Sequence, residues 1–204
     1  MKVLHRPDVF AWSRFDEPRN IDFHGYALVR AQGVVLVDPL PMSDHDLAHL
    51  DALGRVTTIV ITNSDHVRAA ADFAARSGAE IVGPTAERDG FPIRCDRWAS
   101  DGVELVPGVV AIELHGSKTP GELALFVDGS TLITGDLIRA HRAGALTILP
   151  DAKLEDRLVA IESVVRLAAI TTLDAVLVGD GWPIFRDGRR ALRELADSLT
   201  SAAR

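Results

Sequence analysis

The sequence predicts a mixed α/β protein, a four-layer αββα sandwich, from three observations. Residues 34–84 alternate apolar runs with helix-forming segments, the pattern of a sheet covered by helices. Residues 103–134 hold short apolar strands punctuated by Asp101-Gly102, Pro107-Gly108 and Asp128-Gly129, the pattern of an antiparallel meander. An α-β-α segment follows from Pro150 onward. At 204 residues the chain suits one domain, taken as 1–204.

The elements are expected in this order. Residues 9–30 alternate apolar with polar positions (Val9, Phe10, Trp12, then Ile21, Phe23, Tyr26, Leu28, Val29), as antiparallel strands with one wet face do. Val34-Val35-Leu36-Val37 is a buried strand stopped by Asp38-Pro39-Leu40-Pro41. Ser43 caps a short helix carrying Leu47, Leu50 and Leu53 and closed by Gly54. Ile59-Val60-Ile61 is a strand that runs through a polar turn into an alanine-rich helix ending at Ser77-Gly78, with Gly78 at the C′ position. Ile81–Pro84 is a further parallel strand, and an irregular stretch holds Phe91, Pro92, Cys95 and Trp98. Meander strands are expected at 103–106, 109–114, 123–127 and 131–134. Pro150-Asp151 opens a long helix with Leu154, Leu158, Ile161, Val165 and Ala168 inward. Ala175–Val178 is a buried strand, and Asp187 caps a last helix with Leu192, Leu195 and Leu199 inside.

Composition narrows the function. A net charge of −7 with scattered basic residues speaks against nucleic acid, which is bound through clustered Lys and Arg. No stretch approaches the ~20 apolar residues of a membrane helix, and the N-terminus lacks the apolar core of a signal peptide. The expectation is therefore a soluble cytoplasmic protein that acts on a small molecule, with no membrane partner and an open oligomeric state. The single cysteine, Cys95, excludes an internal disulfide framework and a cysteine-rich zinc site. It is read as a packed thiol.

Four polar clusters each follow an apolar strand, where α/β proteins place their chemistry. They are Asn63-Ser64-Asp65-His66-Val67-Arg68, His115-Gly116-Ser117-Lys118-Thr119-Pro120-Gly121-Glu122, Thr134-Gly135-Asp136 and Gly179-Asp180-Gly181. In order, spacing and flanking strands, from about Asn20 to Pro183, they resemble the metallo-β-lactamase superfamily. Members of that family carry His-x-His-x-Asp-His, His-Thr-Pro-Gly, Thr-Gly-Asp and Gly-His-Gly. The resemblance implies an αββα fold and a metal pair that activates water for hydrolysis.

This chain departs from that pattern at the ligand positions. Lys118 stands where the family has histidine before Thr-Pro-Gly, and Asp180 stands at the terminal histidine. The first motif aligns in two registers. Without a gap its ligand positions hold Asn63, Asp65, Val67 and Arg68; with a two-residue deletion Asp65-His66 matches the Asp-His pair. Charged lysine and arginine offer a metal no lone pair, and carboxylates such as Asp136 and Asp180 would hold Lys118 charged. In the ungapped register Arg68 and Lys118 can neutralise Asp65, Asp136 and Asp180. A dinuclear zinc centre is therefore not expected.

What remains is a single divalent ion or none. His66 with Asp65, Asp136 and Asp180 supplies one nitrogen and three carboxylates, which suits Zn, Mn or Fe. On the first alternative those four residues hold an ion and Lys118 stabilises an oxyanion, which makes Asp65, His66, Lys118, Asp136 and Asp180 the catalytic set. On the second the protein is a metal-free pseudoenzyme or small-anion binder. Asn63, Arg68 and Thr119 are the remaining ligand contacts. His45 and His49 have metal-ligand spacing but lie among Asp44, Asp46 and Asp51, as a solvated face would. His24, His115 and His141-Arg142 lie near the clusters, and Trp98 and Trp182 are read as core aromatics.

Overall fold

The computed structural model describes residues 1–202, which form two compact units, residues 1–99 and from Ser100 onward. The first is a seven-stranded sheet: β1 (Lys2–Val3), β2 (Val9–Asp16), β3 (Ile21–Arg30), β4 (Gly33–Val37), β5 (Val56–Val60), β6 (Glu80–Pro84) and β7 (Arg97–Ala99), in that spatial order. β1 to β4 pair antiparallel, and β4 to β7 pair parallel. Helix α1 (Asp44–Leu53) joins β4 to β5, and α2 (Ala70–Ser77) joins β5 to β6. Ser43 caps α1 by accepting from the Asp46 N–H, and Gly78 closes α2 at φ 70° with its N–H on Ala74 O, as expected. Because β4, β5 and β6 are parallel, the segments after Val37, Val60 and Pro84 leave from one edge of the sheet.

The second unit is a five-stranded sheet in the order β14-β11-β10-β9-β8, with a separate hairpin β12-β13. The strands are β8 (Glu104–Val106), β9 (Val109–Leu114), β10 (Glu122–Val127), β11 (Thr131–Thr134), β12 (Ile138–Arg142), β13 (Ala145–Ile148) and β14 (Ala175–Val178), with helices α3 (Arg157–Ala168) and α4 (Gly188–Ala202). β8 to β11 form the expected meander, and the turn after Val127 needs positive φ at both Asp128 and Gly129. β14 pairs with β11 in parallel, Thr134 opposite Val178. The segments after Leu114, Thr134 and Val178, and the start of β10 at Glu122, therefore share one edge.

Each unit buries its own core. In the first, Phe10, Trp12, Leu36, Leu50, Ile59, Ile61, Phe73 and Ile81 pack together. In the second, Leu114, Leu132, Leu137, Val164, Leu167, Val176 and Leu192 do so. Burial of an aliphatic side chain contributes about 1.5–3 kcal/mol, so both units gain substantially from these clusters. Cys95 is buried in the first core, and burial, helped by Asp96, pushes its thiol pKa up to about 11. Among the described residues no helix is long and apolar enough to cross a membrane.

Four expectations are corrected. The start of β2 does not alternate, since Val9, Phe10, Ala11 and Trp12 are all buried. The stretch read as irregular contains β7, and a hairpin, β12-β13, follows Asp136. Trp182 is 60% exposed and therefore no core residue. Helix α3 opens at Arg157, not at Pro150-Asp151. The Asp156 carboxylate caps it by accepting from Leu158 N and Val159 N, while the Glu155 and Asp156 N–H groups donate to Ser117 O and Gly116 O. That use of the backbone stops the helix from extending toward Pro150. The buried stripe becomes Ala160, Ile161, Val164, Leu167 and Ala168, and Leu158 and Val165 are exposed. Asp156→Ala is expected to cost about 1 kcal/mol, the usual cost of a lost cap, in urea unfolding; no change would show that water replaces the cap.

Candidate functional site

In the first unit the chemistry collects at the carboxyl ends of β4 and β5. Asp38, directly after β4, is 2% exposed and held at φ 47°. Its Oδ1 accepts from Thr62 N at 2.8 Å, and its Oδ2 accepts from Thr62 Oγ1 at 2.6 Å and meets His66 Nδ1 at 2.8 Å. An ionised carboxylate only accepts, so Nδ1 is the donor to Asp38. A carboxylate on the far nitrogen is how metal-binding and base histidines are oriented. Nε2 faces a guanidinium, however: Arg68 Nη2 lies 3.3 Å away. Arg68, at φ 44°, also donates to His24 O at 2.6 Å and Asp38 O at 3.0 Å.

Asp65 and Asn63 sit in the tight turn Ser64–His66 between β5 and α2. Asn63 is buried, and its Oδ1 accepts from Asp65 N at 3.0 Å. The Asp65 side chain is exposed. Buried Glu87, just past β6, accepts from Ser64 N at 2.9 Å and fixes the same turn.

In the second unit, parallel pairing of β11 with β14 brings the Gly135-Asp136 and Gly179-Asp180 turns side by side. Both carboxylates are 3% exposed. Lys118 Nζ lies 2.9 Å from Asp136 Oδ2, and Arg139 Nη2 lies 3.2 Å from Asp136 Oδ1. The same Arg139 nitrogen also donates to Asp180 Oδ2. One guanidinium therefore ties two buried carboxylates together. Asp180 Oδ1, Thr119 Oγ1 and Arg139 Nε are buried without a hydrogen-bond partner.

The walls are built from backbone and one further acid. Glu122, fully buried, accepts from Ser117 Oγ at 2.8 Å and from Leu137 N at 2.9 Å. It joins the Lys118 loop to the Asp136 turn. Gly116, at φ 77°, lies against the start of α3, where a Cβ would meet Asp156 O at 2.3 Å. His141, exposed at the hairpin, has its pKa lowered by partial desolvation first and by Arg139 next, against an upward pull from Asp180. A lowered histidine pKa leaves the native state less protonated than the unfolded chain. The group's contribution to stability is then present above the ordinary value of ~6.5 and lost as pH falls through the native value. In an NMR titration the His141 ring should titrate below the ordinary histidine range and move lower still in Asp180→Asn; a rise in that variant would refute the assignment.

The side chains of the other sequence candidates make their contacts elsewhere. His45 is exposed, His49 packs edge-on to Phe10 with centroids 5.7 Å apart, and His24 stacks on Tyr26. The His115 N–H donates to Ser163 Oγ. Lys118 pairs with Asp136, and Asp180 is neutralised by Arg139. Arg68, expected with Lys118 to neutralise Asp65, Asp136 and Asp180, turns its donors to His24 O, Asp38 O and His66 Nε2 instead. Sequence reasoning missed Arg139 and Asp38; a polar residue ending the 34–37 run was the available signal for Asp38.

A family model described as the metallo-beta-lactamase superfamily matches residues 1–199. The chain belongs to that superfamily. No match was found among curated proteins. Among solved structures the chain is similar to DIM-1 metallo-beta-lactamase, at 15% identity and TM-score 0.76, covering 100% of this chain and 96% of that one. It is similar to FIM-1 from Pseudomonas aeruginosa, solved in a mono-zinc form, at 11% identity and TM-score 0.71, covering 94% and 91%. It is also similar to TTHA1623, solved in a di-iron-bound form, at 18% identity and TM-score 0.65, covering 85% and 94%. These likenesses show the metallo-β-lactamase fold, so the fold class expected from the sequence holds. The superfamily implies metal, and the donor atoms of this chain fit a metal pair poorly. In the first unit His66 Nε2 faces Arg68. In the second, both oxygens of Asp136 and one of Asp180 already meet fixed cations.

Proposed function

We propose that this chain, taken over 1–204 as one metallo-β-lactamase-like domain, is a hydrolase-like protein for a small-molecule substrate whose centre holds at most one divalent ion. The observation that supports this is the pairing of Asp136 with both Lys118 and Arg139. Two buried carboxylates facing two cations carry no net charge, so every divalent ion added there brings two positive charges that this group does not offset, and a metal pair would bring four. The family positions Asp65, His66, Asp136 and Asp180 are the ligands proposed for a single Zn, Mn or Fe, and such an ion, when bound, would activate water. In this reading Lys118 would steady a developing oxyanion and Thr119 would contact substrate. Asn63 holds the turn that presents His66. A cytoplasmic location belongs to the same proposal.

A second reading, a metal-free binder of a small carboxylate or phosphate, is favoured by Arg68, which donates to two carbonyl oxygens and is not spent on a carboxylate. Elemental analysis of protein purified without chelator or nickel resin tests the first. No more than about one equivalent of transition metal is expected, and two equivalents would overturn it. For the second, inorganic phosphate and acetate should raise the melting temperature of wild-type protein but not of Arg68→Met. Equal shifts in both would sink it.

A further inference from the structure

We infer that Arg139 is a built-in substitute for a divalent cation, and that removing it opens a metal site on Asp136 and Asp180. The inference rests on the proposed at-most-one-ion centre and says what fills it. A divalent ion between two carboxylates supplies positive charge, fixes both turns and is approached from a buried side. The Arg139 guanidinium does the first two: one of its nitrogens reaches Asp136 Oδ1 and Asp180 Oδ2 together. Its side chain is 12% exposed and those of its partners are 4% and 5%, so the charges meet in a screened, low-dielectric place where a lone carboxylate pair would repel strongly.

The acids alone would not make a site. A second observation does: Asp180 Oδ1 is buried with no hydrogen-bond partner. A buried carboxylate oxygen left without a donor means that lone-pair capacity there exceeds what the protein itself uses. A guanidinium saturates a carboxylate pair through directional hydrogen bonds, whereas a small cation takes oxygen lone pairs from several directions. Lys118, on Asp136 Oδ2, is the more exposed of the two cations at 27%. Arg139 is enclosed, at 12%, and holds both carboxylates. It is therefore the residue that decides whether metal enters.

The test is Mn and Zn binding to wild-type protein, Arg139→Gln and Arg139→Lys, followed by equilibrium dialysis with elemental analysis and by thermal shift. Arg139→Gln is expected to bind about one equivalent with at least about tenfold higher affinity than wild type, roughly 1.4 kcal/mol, and to gain melting temperature on adding either ion. Arg139→Lys keeps the charge and should behave as wild type. If Arg139→Gln does not fold alone, adding Zn or Mn should restore its folded circular dichroism spectrum. Failure of metal to bind the folded variant, or to rescue an unfolded one, overturns the inference. So does one equivalent bound by wild type, which leaves the at-most-one-ion proposal standing. Two equivalents in wild type would sink that proposal instead.

Discussion

Asp136→Ala is expected to destabilise the protein by about 3–5 kcal/mol, because it removes one buried carboxylate from two cations at once. For a chain of this size that corresponds to a fall of about 6–20 °C in melting temperature. Asp136 is 3% exposed, with Lys118 at 2.9 Å and Arg139 at 3.2 Å. After truncation Arg139 keeps only Asp180, and the oxygen that met Lys118 is gone. Exposed ion pairs are worth about 1 kcal/mol or less, so a measured loss below that would mean the cluster is wet and its pairing incidental. Asp136→Asn, which keeps the shape and one acceptor, should fall between. Chemical denaturation read by fluorescence and circular dichroism together gives the values.

Gly181→Ala is expected to cost about 2–5 kcal/mol, a sum of left-handed strain and overpacking. Gly181 has φ 96°, and a Cβ there would stand 2.1 Å from Ala140 O and 2.6 Å from Ala140 C. Neither is a flexible side chain, so the backbone must move. Two hydrogen bonds fix that backbone: Ala140 N donates to Asp180 O at 3.1 Å, and Trp182 N to Ala140 O at 2.8 Å. Gly129→Ala supplies the control. It has φ 69° with no atom within 4 Å of the added methyl, so only the strain of about 1–2 kcal/mol remains. Equal melting temperatures for the two variants would show that the β12 edge yields freely.

Much of this was legible in the chain itself. A β-branched run followed by Thr62-Asn63-Ser64-Asp65-His66 announces a strand end, and parallel pairing of β4 with β5 puts that end beside Asp38. Arg139 was not legible. It lies on a hairpin whose turn, Ala143-Gly144, lacks the Asn-Gly or Asp-Gly signature, and its meaning depends on β11 lying next to β14, a pairing between residues far apart in sequence. The start of α3 was ambiguous for a different reason. Asp151 and Asp156 are both competent caps, and the choice is made by hydrogen bonds from Glu155 and Asp156 to the Gly116-Ser117 loop. The register of Asn63–Arg68 against the family pattern has no bearing on these contacts, because Asp38 holds His66 in place whichever alignment applies.

Glu122 has one more consequence. Its carboxylate is shared between Ser117 Oγ and Leu137 N, so the Lys118 loop and the Asp136 turn hang from one anchor and cannot change independently. A substitution that resizes one is felt at once by the other. The hairpin tip at His141–Gly144 and the exposed face of Trp182 are not tied to that anchor, and substitutions there leave the coupled loop and turn undisturbed.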